Sequence, residues 1–545
     1  MCGIYGYLLY NKDYVSDLTK AGYSSKNRGP ERTITHNTED MFLMFHRLAI
    51  MNTSPLLDQP HVYKSTDEKD TYYYVMCNGE IYNYESICKR FLDTITPNDT
   101  SCIYPLFQAL NYDFIKLNNE LNGEYALVIL KITNNKLNEC WMSTDPYSVR
   151  PLFVCSDKDY VVFSSLLLGI SNTPNIDKTK VRRIGGGEML HFTFKDGCVY
   201  SEHNSLYQKD LSNVGLLTPL TNVEEIKTQL VFSLQSAVIR RLNSDRPIGC
   251  LLSGGLDSSL VAAIACRELK EKGKKLRTFS IGMTGGTDLH YARMVADYIE
   301  SDHTEVIFTP EEGLSVIEDV IKTTETFDIT TIRASVGQYL LAKWISENTN
   351  IKVVLNGDGA DECQMGYLYN YYSPSHIESH KDCIRLLDEI HLYDGLRVDR
   401  CISRWGLEAR VPYLDKNFAN LCKRIHPKLK MPSKEEGKIE KWLIRSAFSK
   451  YLEIPHEVLW RVKEAFSDGV SKKEKSWYKI IEESIKTSQT IMYTHCPPIS
   501  HESSLYREVF EREFGNEVAG VIPHFWMPKW VASNDPSART LNVYS

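Results

Sequence analysis

Through about the first 200 positions the apolar runs are short and rich in β-forming residues: Ile4–Tyr10, Tyr72–Cys77, Tyr125–Ile132, Tyr160–Ser164 and Glu188–Phe194. Turn signals such as Arg28-Gly29-Pro30 and Asn78-Gly79 separate them. This pattern predicts a mostly β domain with a few helices. Ser201–Pro219 is polar and aperiodic, which predicts a connecting loop. Beyond it the period lengthens to that of helices. Thr221 and Glu224 form a capping-box signature, and Ile226, Leu230, Leu234, Val238 and Leu242 recur every fourth position as one apolar stripe. A buried strand follows at Ile248–Leu252, then a glycine-rich turn and a helix from Ser258 to Lys272, stopped by Gly273. Further strands at Leu276–Gly282 and Ile351–Leu355 continue a β/α alternation, which predicts a parallel sheet covered by helices. From Ile377 onward the pattern is largely helical.

Composition narrows the class. The 545 residues carry 63 Lys+Arg and 70 Asp+Glu, a formal net charge of −7, which disfavours a nucleic-acid partner. Aromatic content of 11% and a small charge per residue exclude a disordered chain. No apolar run approaches the ~18 residues of a membrane-spanning helix, and Met1–Gly6 has no basic n-region of a secretory signal. The expectation is a cytoplasmic protein with no membrane partner. Of the 14 cysteines none forms a C-x-x-C pair, so zinc sites are not expected and most thiols read as packing. Cys2 differs. Once Met1 is removed, its thiol shares a residue with a free α-amine whose ordinary pKa is near ~8, an activated nucleophile with its own base.

Downstream of Cys2 stand Arg28-Gly29-Pro30-Glu31, His46-Arg47-Leu48-Ala49-Ile50, Gln59-Pro60, Asn78-Gly79-Glu80-Ile81-Tyr82-Asn83, Asp99 and Asp145-Pro146-Tyr147-Ser148-Val149-Arg150-Pro151-Leu152-Phe153. In this order they resemble the class II glutamine amidotransferase domain, an N-terminal-nucleophile hydrolase with an αββα sandwich. The resemblance covers essentially residues 2–200, and the domain is expected to span 2–205. It implies that Cys2 attacks the side-chain amide of L-glutamine, forms a thioester and releases ammonia. Asn78 and Gly79 would supply the oxyanion hole, Arg47 would clamp the α-carboxylate, and Leu48, Ala49, Ile50, Met51, Glu80 and Asp99 would complete the glutamine site. Three positions depart from the family: Glu31 for Asp, Ser148 for Gly, and Leu166 where Glu is usual.

The second constellation begins where strand Ile248–Leu252 runs into Ser253-Gly254-Gly255-Leu256-Asp257-Ser258-Ser259. Glycines and a helix N-terminus offer backbone N–H groups to an anion, without the lysine pattern of a Walker A loop. This loop resembles that of the ATP pyrophosphatases, which cleave ATP between its α and β phosphates. Further along stand Phe279-Ser280-Ile281-Gly282, Asp288, Glu325–Ser335, Asn356-Gly357-Asp358-Gly359-Ala360-Asp361-Glu362, Gly406–Asp415, Trp460–Val470 and Asp535–Leu541. Together with the first half they resemble the glutamine-hydrolysing asparagine synthetases of the eukaryotic-type branch. Residues 206–545 would form an α/β parallel-sheet ATP-pyrophosphatase domain with a largely helical C-terminal part. The resemblance implies ATP as co-substrate, held by Leu251, Ser253, Gly254, Gly255, Asp257, Ser258, Ile281, Asn356 and Gly357. Mg²⁺ would sit on Asp257 and Asp361, Lys463 would meet developing phosphate charge, and L-aspartate would lie near Thr330, Thr331, Arg333 and Asp358. In the reaction that the resemblance implies, aspartate would become β-aspartyl-AMP, which ammonia from an internal tunnel would convert to asparagine. Asn356 replaces the usual Ser and Asp358 the usual Glu, a carboxylate shortened by one methylene. A homodimer is left open.

Other features read as structure. His376 and His380 lie in a polar run with no third ligand, which predicts a solvated loop. The Lys434–Lys441 charge run predicts an exposed face, and Tyr369–Tyr372 predict packing. Other class II amidotransferases act on sugar phosphates and have no use for the Ser253–Ser259 loop. β-Lactam synthetases share the second half but lack the nucleophile, and an inactive glutamine sensor would not need Cys2, Asn78, Gly79, Asp257 and Lys463 intact.

Overall fold

The computed structural model describes all residues except 11, 208–212, 452, 472–475, 486–492, 533–534 and 538–545. The sequence-predicted motif Asp535–Leu541 lies partly outside the described residues. The chain forms two compact units. One is Met1–Lys209 with Ser403–Glu408 and Glu511–Val521; the other is Asp210–Ile402 with Ala409–Phe510 and Ile522–Ser545.

The first unit holds two six-stranded antiparallel sheets. The order in one is Arg182–Arg183, Phe153–Asp157, Tyr160–Ser164, Gly3–Leu8, Met41–Arg47, Arg32–Asn37. In the other it is Cys198–Leu206, Glu188–Lys195, Lys136–Thr144, Gly123–Thr133, Thr71–Ile81, His61–Lys64. Ile4, Leu8, Leu43 and Phe45 of the first sheet pack on Met76, Val128, Leu130 and Met142 of the second. Side chains alternate between faces along a strand, so each sheet also presents an outer apolar face. Helices Tyr84–Phe91, Ile103–Ala109 and Phe114–Glu120 cover that of the second sheet through Ile87, Phe107 and Leu117 against Cys77, Leu127 and Trp141. Helices Val15–Tyr23 and Leu167–Ser171 lie against the first. The layers are helix, sheet, sheet, helix.

The polar run at 201–219 is not all loop. Its start continues strand Cys198–Leu206, which pairs with Glu188–Lys195, and Val214–Leu217 is helical. An edge strand with one solvated face can be almost wholly polar, which is why its pattern reads as a loop. Asn78-Gly79, a turn signal by composition, lies inside strand Thr71–Ile81.

In the second unit a five-stranded sheet runs Asp302–Ile307, Arg277–Gly282, Ile248–Leu251, Val353–Leu355, Glu408–Arg410, and the first four strands are parallel. Strands buried on both faces explain the continuous apolar runs. Helices Val223–Arg240, Leu256–Glu271, Thr287–Tyr298 and Ile329–Asn348 accompany the sheet. The cap of the first is Asn222, whose side chain accepts from Glu225 N at 3.3 Å, one position later than the capping-box pattern predicts. The second begins at Leu256 with Gly255 as its cap, so the glycine-rich run is the helix entry itself.

Two readings are corrected. His376–Glu389 is a helix capped by Ser375, with His380 1% exposed, so neither histidine is in a solvated loop. The polar spacing conceals Cys383, Leu386 and Leu387, which bury the other face. The Lys434–Lys441 run is not uniformly an exposed face, because Lys441 is 2% exposed. Tyr369 packs with Leu386 and Trp526, as the aromatic run predicts. All 14 cysteines are free; Cys198 is exposed, Cys2 and Cys496 half-buried, and the others buried. Among the described residues no helix is long and apolar enough to cross a membrane.

Candidate active sites

In the first unit, Cys2 precedes strand Gly3–Leu8, which places it at a sheet end between Leu48 and Asn78. Its backbone N donates to Asn78 Oδ1 at 2.8 Å, and its Sγ lies 3.7 Å from Leu48 O. With Oδ1 held in that bond, Asn78 keeps a buried Nδ2 that has no hydrogen-bond partner. A buried amide donor left unmet beside a nucleophile is what an oxyanion hole requires. Gly79 has φ +147°, and a Cβ there would fall 1.9 Å from Glu124 O, so only glycine continues the strand at this point. Gln59 clamps the neighbouring residue, its Oε1 accepting from Cys77 N at 2.6 Å and its Nε2 donating to Cys77 O at 3.2 Å.

Met1 is buried ahead of Cys2. Its amine is 3.7 Å from Glu408 and its sulfur 2.8 Å from Arg150 Nη1. Arg150 also pairs with buried Glu124 at 2.9 Å, and Arg28 Nε donates to Cys2 O at 2.9 Å. Burial pushes the Cys2 thiol up, with the N-terminal ammonium working against it.

The other glutamine-site residues are present but several are engaged. Arg47 Nη1 donates to Ser54 O at 2.6 Å and Asp58 Oδ1 at 2.7 Å, and its Nη2 donates to Asn52 O at 2.5 Å. The Arg47 fork is thus already engaged by Asp58 and two backbone carbonyls. Asp99 Oδ2 accepts from Ile81 N at 2.8 Å, and Glu80 is buried. Leu48, Ala49 and Ile50 are buried and Met51 half-buried. The substitution Glu31 anchors this segment, its Oε2 accepting from Ala49 N at 2.8 Å. Ser148 takes φ +47°, the conformation for which the family's glycine is suited. Leu166 caps helix Leu167–Ser171 without a side-chain bond.

In the second unit the carboxyl ends of strands Ile248–Leu251 and Val353–Leu355 turn into one crevice, as expected of an open parallel sheet. The Ser253–Ser259 loop is internally bonded: Ser253 Oγ lies 3.0 Å from Ser258 Oγ, and Ser253 N donates to Ser258 Oγ at 3.2 Å. Leu251, Ser253, Gly255, Asp257, Ser258, Ile281, Asn356 and Gly357 line a cavity of about 990 Å³. Gly254 does not; it makes the turn at φ +73°, where a Cβ would meet Ala292 N at 2.4 Å. A second cavity of about 1020 Å³ is lined by Thr330, Thr331, Arg333, Tyr367 and Asp394. The two share Asp358, Asp361, Arg397, Lys463 and Phe466 as a common wall.

That wall is charged. Lys463 Nζ lies 2.5 Å from Asp361 Oδ2, and Lys441 Nζ lies 2.5 Å from both Asp361 Oδ1 and Asp257 Oδ2. Burial would raise the Asp361 carboxyl, but these two ammoniums outweigh it and hold the group well below the usual carboxylate range. Burial likewise opposes the charge on Lys463, yet Asp361 and Asp257 hold its ammonium firmly protonated. Asp358 receives Arg397 Nη2 at 2.6 Å, and its own N–H donates to Asn356 Oδ1 at 2.8 Å, so the two substituted positions brace one another. Burial raises the Asp358 carboxyl, Arg397 offsetting part of this and Asp394 adding to it. Glu362 is raised further, by burial and by Asp394 and Asp361, and accepts from Tyr367 Oη at 2.6 Å. Asp288 is pushed up to about 7 by burial despite Arg461 Nη2 at 2.9 Å.

Arg333 is turned to internal partners, Glu502 and Asp535, by Nε and both Nη nitrogens at 2.5–2.9 Å. Thr331 Oγ1 donates to its helix cap Asp328 at 2.8 Å, whereas Thr330 Oγ1 is buried without a partner. Of the three, Thr330 keeps its polar group uncommitted beside the second cavity.

Sequence reasoning missed Arg397, Asp394, Tyr367 and Lys441. A usable signal existed for Lys441 alone: it abuts Trp442-Leu443-Ile444, so the charge run ends against an apolar helix start.

Comparison with known proteins matches two family models to the chain. A glutamine amidotransferase domain model matches residues 1–211, and an asparagine synthase model matches 230–385 and 373–533. The human glutamine-hydrolysing asparagine synthetase (Homo sapiens) is 37% identical over 572 residues, covering 100% of this chain and 99% of that protein. The chicken (Gallus gallus) and cattle (Bos taurus) asparagine synthetases are each 36% identical, over 570 and 572 residues, at the same coverage. With Cys2 beside the unpartnered Asn78 amide in one unit, the Ser253–Ser259 loop at the strand ends of the other, and relatives matched end to end, the chain belongs to the glutamine-hydrolysing asparagine synthetase family.

Proposed function

We propose that the protein makes asparagine from aspartate, glutamine and ATP. In the first unit, after Met1 is removed, the Cys2 α-amine takes the thiol proton and Sγ attacks the glutamine amide carbon. The oxyanion is met by Asn78 Nδ2 and the Gly79 N–H, each such donor being worth ~3 kcal/mol in the transition state. Ammonia leaves with the proton, and water hydrolyses the γ-glutamyl thioester to glutamate. Glu80 and Asp99 receive the substrate ammonium, and Arg47 its carboxylate.

In the second unit the aspartate β-carboxylate attacks the α-phosphorus of ATP and pyrophosphate leaves. The Ser253–Ser258 loop cradles the leaving group with backbone N–H groups and hydroxyls, while Lys463 neutralises charge as the P–O bond breaks. Asp257 and Asp361 converge on one ammonium, a donor pair that also suits Mg²⁺, which takes one or two carboxylates together with substrate phosphates. Mg²⁺ bound there would neutralise pyrophosphate oxygens. Ammonia then attacks the β-carbonyl of β-aspartyl-AMP and AMP leaves, with Asp358 accepting the proton. Fourteen free thiols suit a reducing compartment such as the cytoplasm.

The observation that carries this reading is the shared wall. Asp358, Asp361, Arg397 and Lys463 border both the phosphate-loop cavity and the cavity beside Thr330, where an acid and a nucleotide would have to meet. The purified protein, given glutamine, aspartate and Mg-ATP, is expected to form asparagine, glutamate, AMP and pyrophosphate in equal amounts. Cys2→Ala is expected to lose glutamine use and keep ammonia-dependent synthesis. Glutamate release without coupled AMP and asparagine would overturn the proposal.

A further inference from the structure

Lys441 precedes helix Trp442–Phe448 with φ +57°, a left-handed backbone that a side chain adopts only when its surroundings impose it. Asp257 and Asp361, whose oxygens it joins, lie in the first turns of two different helices, Leu256–Glu271 and Ala360–Gln364. Gly366 makes the room: a Cβ there would fall 2.1 Å from Asp361 Oδ1 and 2.1 Å from Lys441 Cε. Asp361 thus has one ammonium at each oxygen, Lys441 at Oδ1 and Lys463 at Oδ2. Asp257 and Asp361 without a cation between them would repel one another in a site of reduced dielectric.

We infer that Lys441 is an internal counter-cation, which holds Asp257 and Asp361 in register in the substrate-free enzyme and competes with a divalent metal for their oxygens. The metal therefore binds with the nucleotide and not before it. When metal and phosphates arrive together, the ammonium on its four-carbon stem is displaced from the carboxylates toward a phosphate oxygen. This ordering keeps the empty loop from holding a metal ion with no nucleotide to neutralise. It rests on the reading of Asp257 and Asp361 as metal-side carboxylates, and it assigns Lys441 a positioning role in the same site.

Mn²⁺, whose sharp free-ion paramagnetic resonance signal is lost on binding, tests this without turnover. Wild-type enzyme with Mn²⁺ alone is expected to bind weakly, and to bind at least about tenfold more tightly when an α,β-methylene ATP analogue is added, after subtraction of the signal that the analogue removes without enzyme. Lys441→Met, which keeps most of the stem and removes the charge, is expected to bind one Mn²⁺ per chain without nucleotide about tenfold more tightly than wild type. Lys441→Arg should stay near wild type. Tight Mn²⁺ binding by nucleotide-free wild type overturns the inference, a result that stands even if Lys441→Met does not fold. So does unchanged affinity in a folded Lys441→Met. Asparagine formation by the wild type alongside either result would leave the proposed function intact; tighter Mn²⁺ binding by Lys441→Met in an enzyme that makes no asparagine would do the reverse.

Discussion

Replacing Asp358 by Glu tests the adenylation site most directly. The added methylene carries the carboxylate about 1.5 Å further from the backbone. Asp358 Oδ1 now lies 2.6 Å from Arg397 Nη2, with the aspartate side chain 24% exposed and the arginine 9%. A partly solvated pair can re-form around a longer side chain at a cost of about 1 kcal/mol or less, so melting temperature should scarcely move. The backbone brace, Asp358 N to Asn356 Oδ1, is untouched by the change. The gain lies in placement: a proton acceptor displaced by an ångström can lose ~10²-fold in rate, about 2.7 kcal/mol of barrier. Glu at this position should therefore raise ammonia-dependent asparagine formation, by up to about 10²-fold. Pyrophosphate release from aspartate and Mg-ATP, which precedes ammonia attack, should change by less than about threefold, the effect of a ~0.6 kcal/mol difference. Single-turnover measurement of both products separates the two steps. A fall in asparagine formation, or equal changes in both steps, would refute the assignment of Asp358 as proton acceptor.

Gly79→Ala should cut glutamine hydrolysis by at least about 10²-fold while ammonia-dependent synthesis persists, because the new Cβ meets Glu124 O and moves an oxyanion donor; wild-type glutaminase in that variant would count against the hole. Asp415 is buried and its Oδ2 receives Arg240 and Arg241, each at 2.9 Å, so Asp415→Asn should destabilise the second unit by about 3 kcal/mol, read as a lowered urea midpoint. A loss under about 1 kcal/mol would show the pair to be dispensable. His46 is fully buried between Gly22 O and Thr33 Oγ1, and burial lowers it from 6.5 to about 4. The native chain then binds fewer protons than the unfolded chain between those values, so this contribution is complete above 6.5 and is lost as pH falls toward 4. His46→Phe should be less stable than wild type at pH near ~7.5 through its two lost bonds, and the deficit should narrow on acidification by at most about 1.4 kcal/mol per pH unit. A deficit independent of pH in thermal melts would contradict the buried neutral ring.

What was legible in the sequence was local. Strand, glycine turn and helix follow one another within Ile248–Glu271, so the phosphate loop is written in consecutive residues, and Asn356–Glu362 follows its strand in the same way. Asp394 and Arg397 come from one helix, Asp394–Ser403, and Tyr367 from a loop; tertiary packing, which leaves no pattern around the other site motifs, brings Arg397 to the shared wall and all three to the second cavity. Lys441 was hidden at the end of a charge run that begins exposed at Lys434, Glu435 and Glu436 and turns inward at Glu440, which is buried as well. Asn78-Gly79 has the composition of a hairpin turn, but its glycine is needed for close approach to Glu124 within a strand. The two returns that join the first unit, Ser403–Glu408 and Glu511–Val521, are short and carry no periodicity of their own. Arg333 looked like a substrate ligand because arginine suits a carboxylate, and it does bind carboxylates, those of Glu502 and Asp535.

The burial of Met1 bears on when the enzyme is made competent. Its side chain is enclosed, its amine faces Glu408 and its sulfur lies against Arg150. An aminopeptidase needs an extended, accessible end, which the folded first unit does not offer. If Cys2 acts as proposed, trimming is expected on the ribosome, while the emerging end is still loose. On the same reading, a molecule that folds before it is trimmed is expected to stay an ammonia-only synthetase, so the fraction of glutamine-competent enzyme in a preparation would record a race between processing and folding in the host that made it.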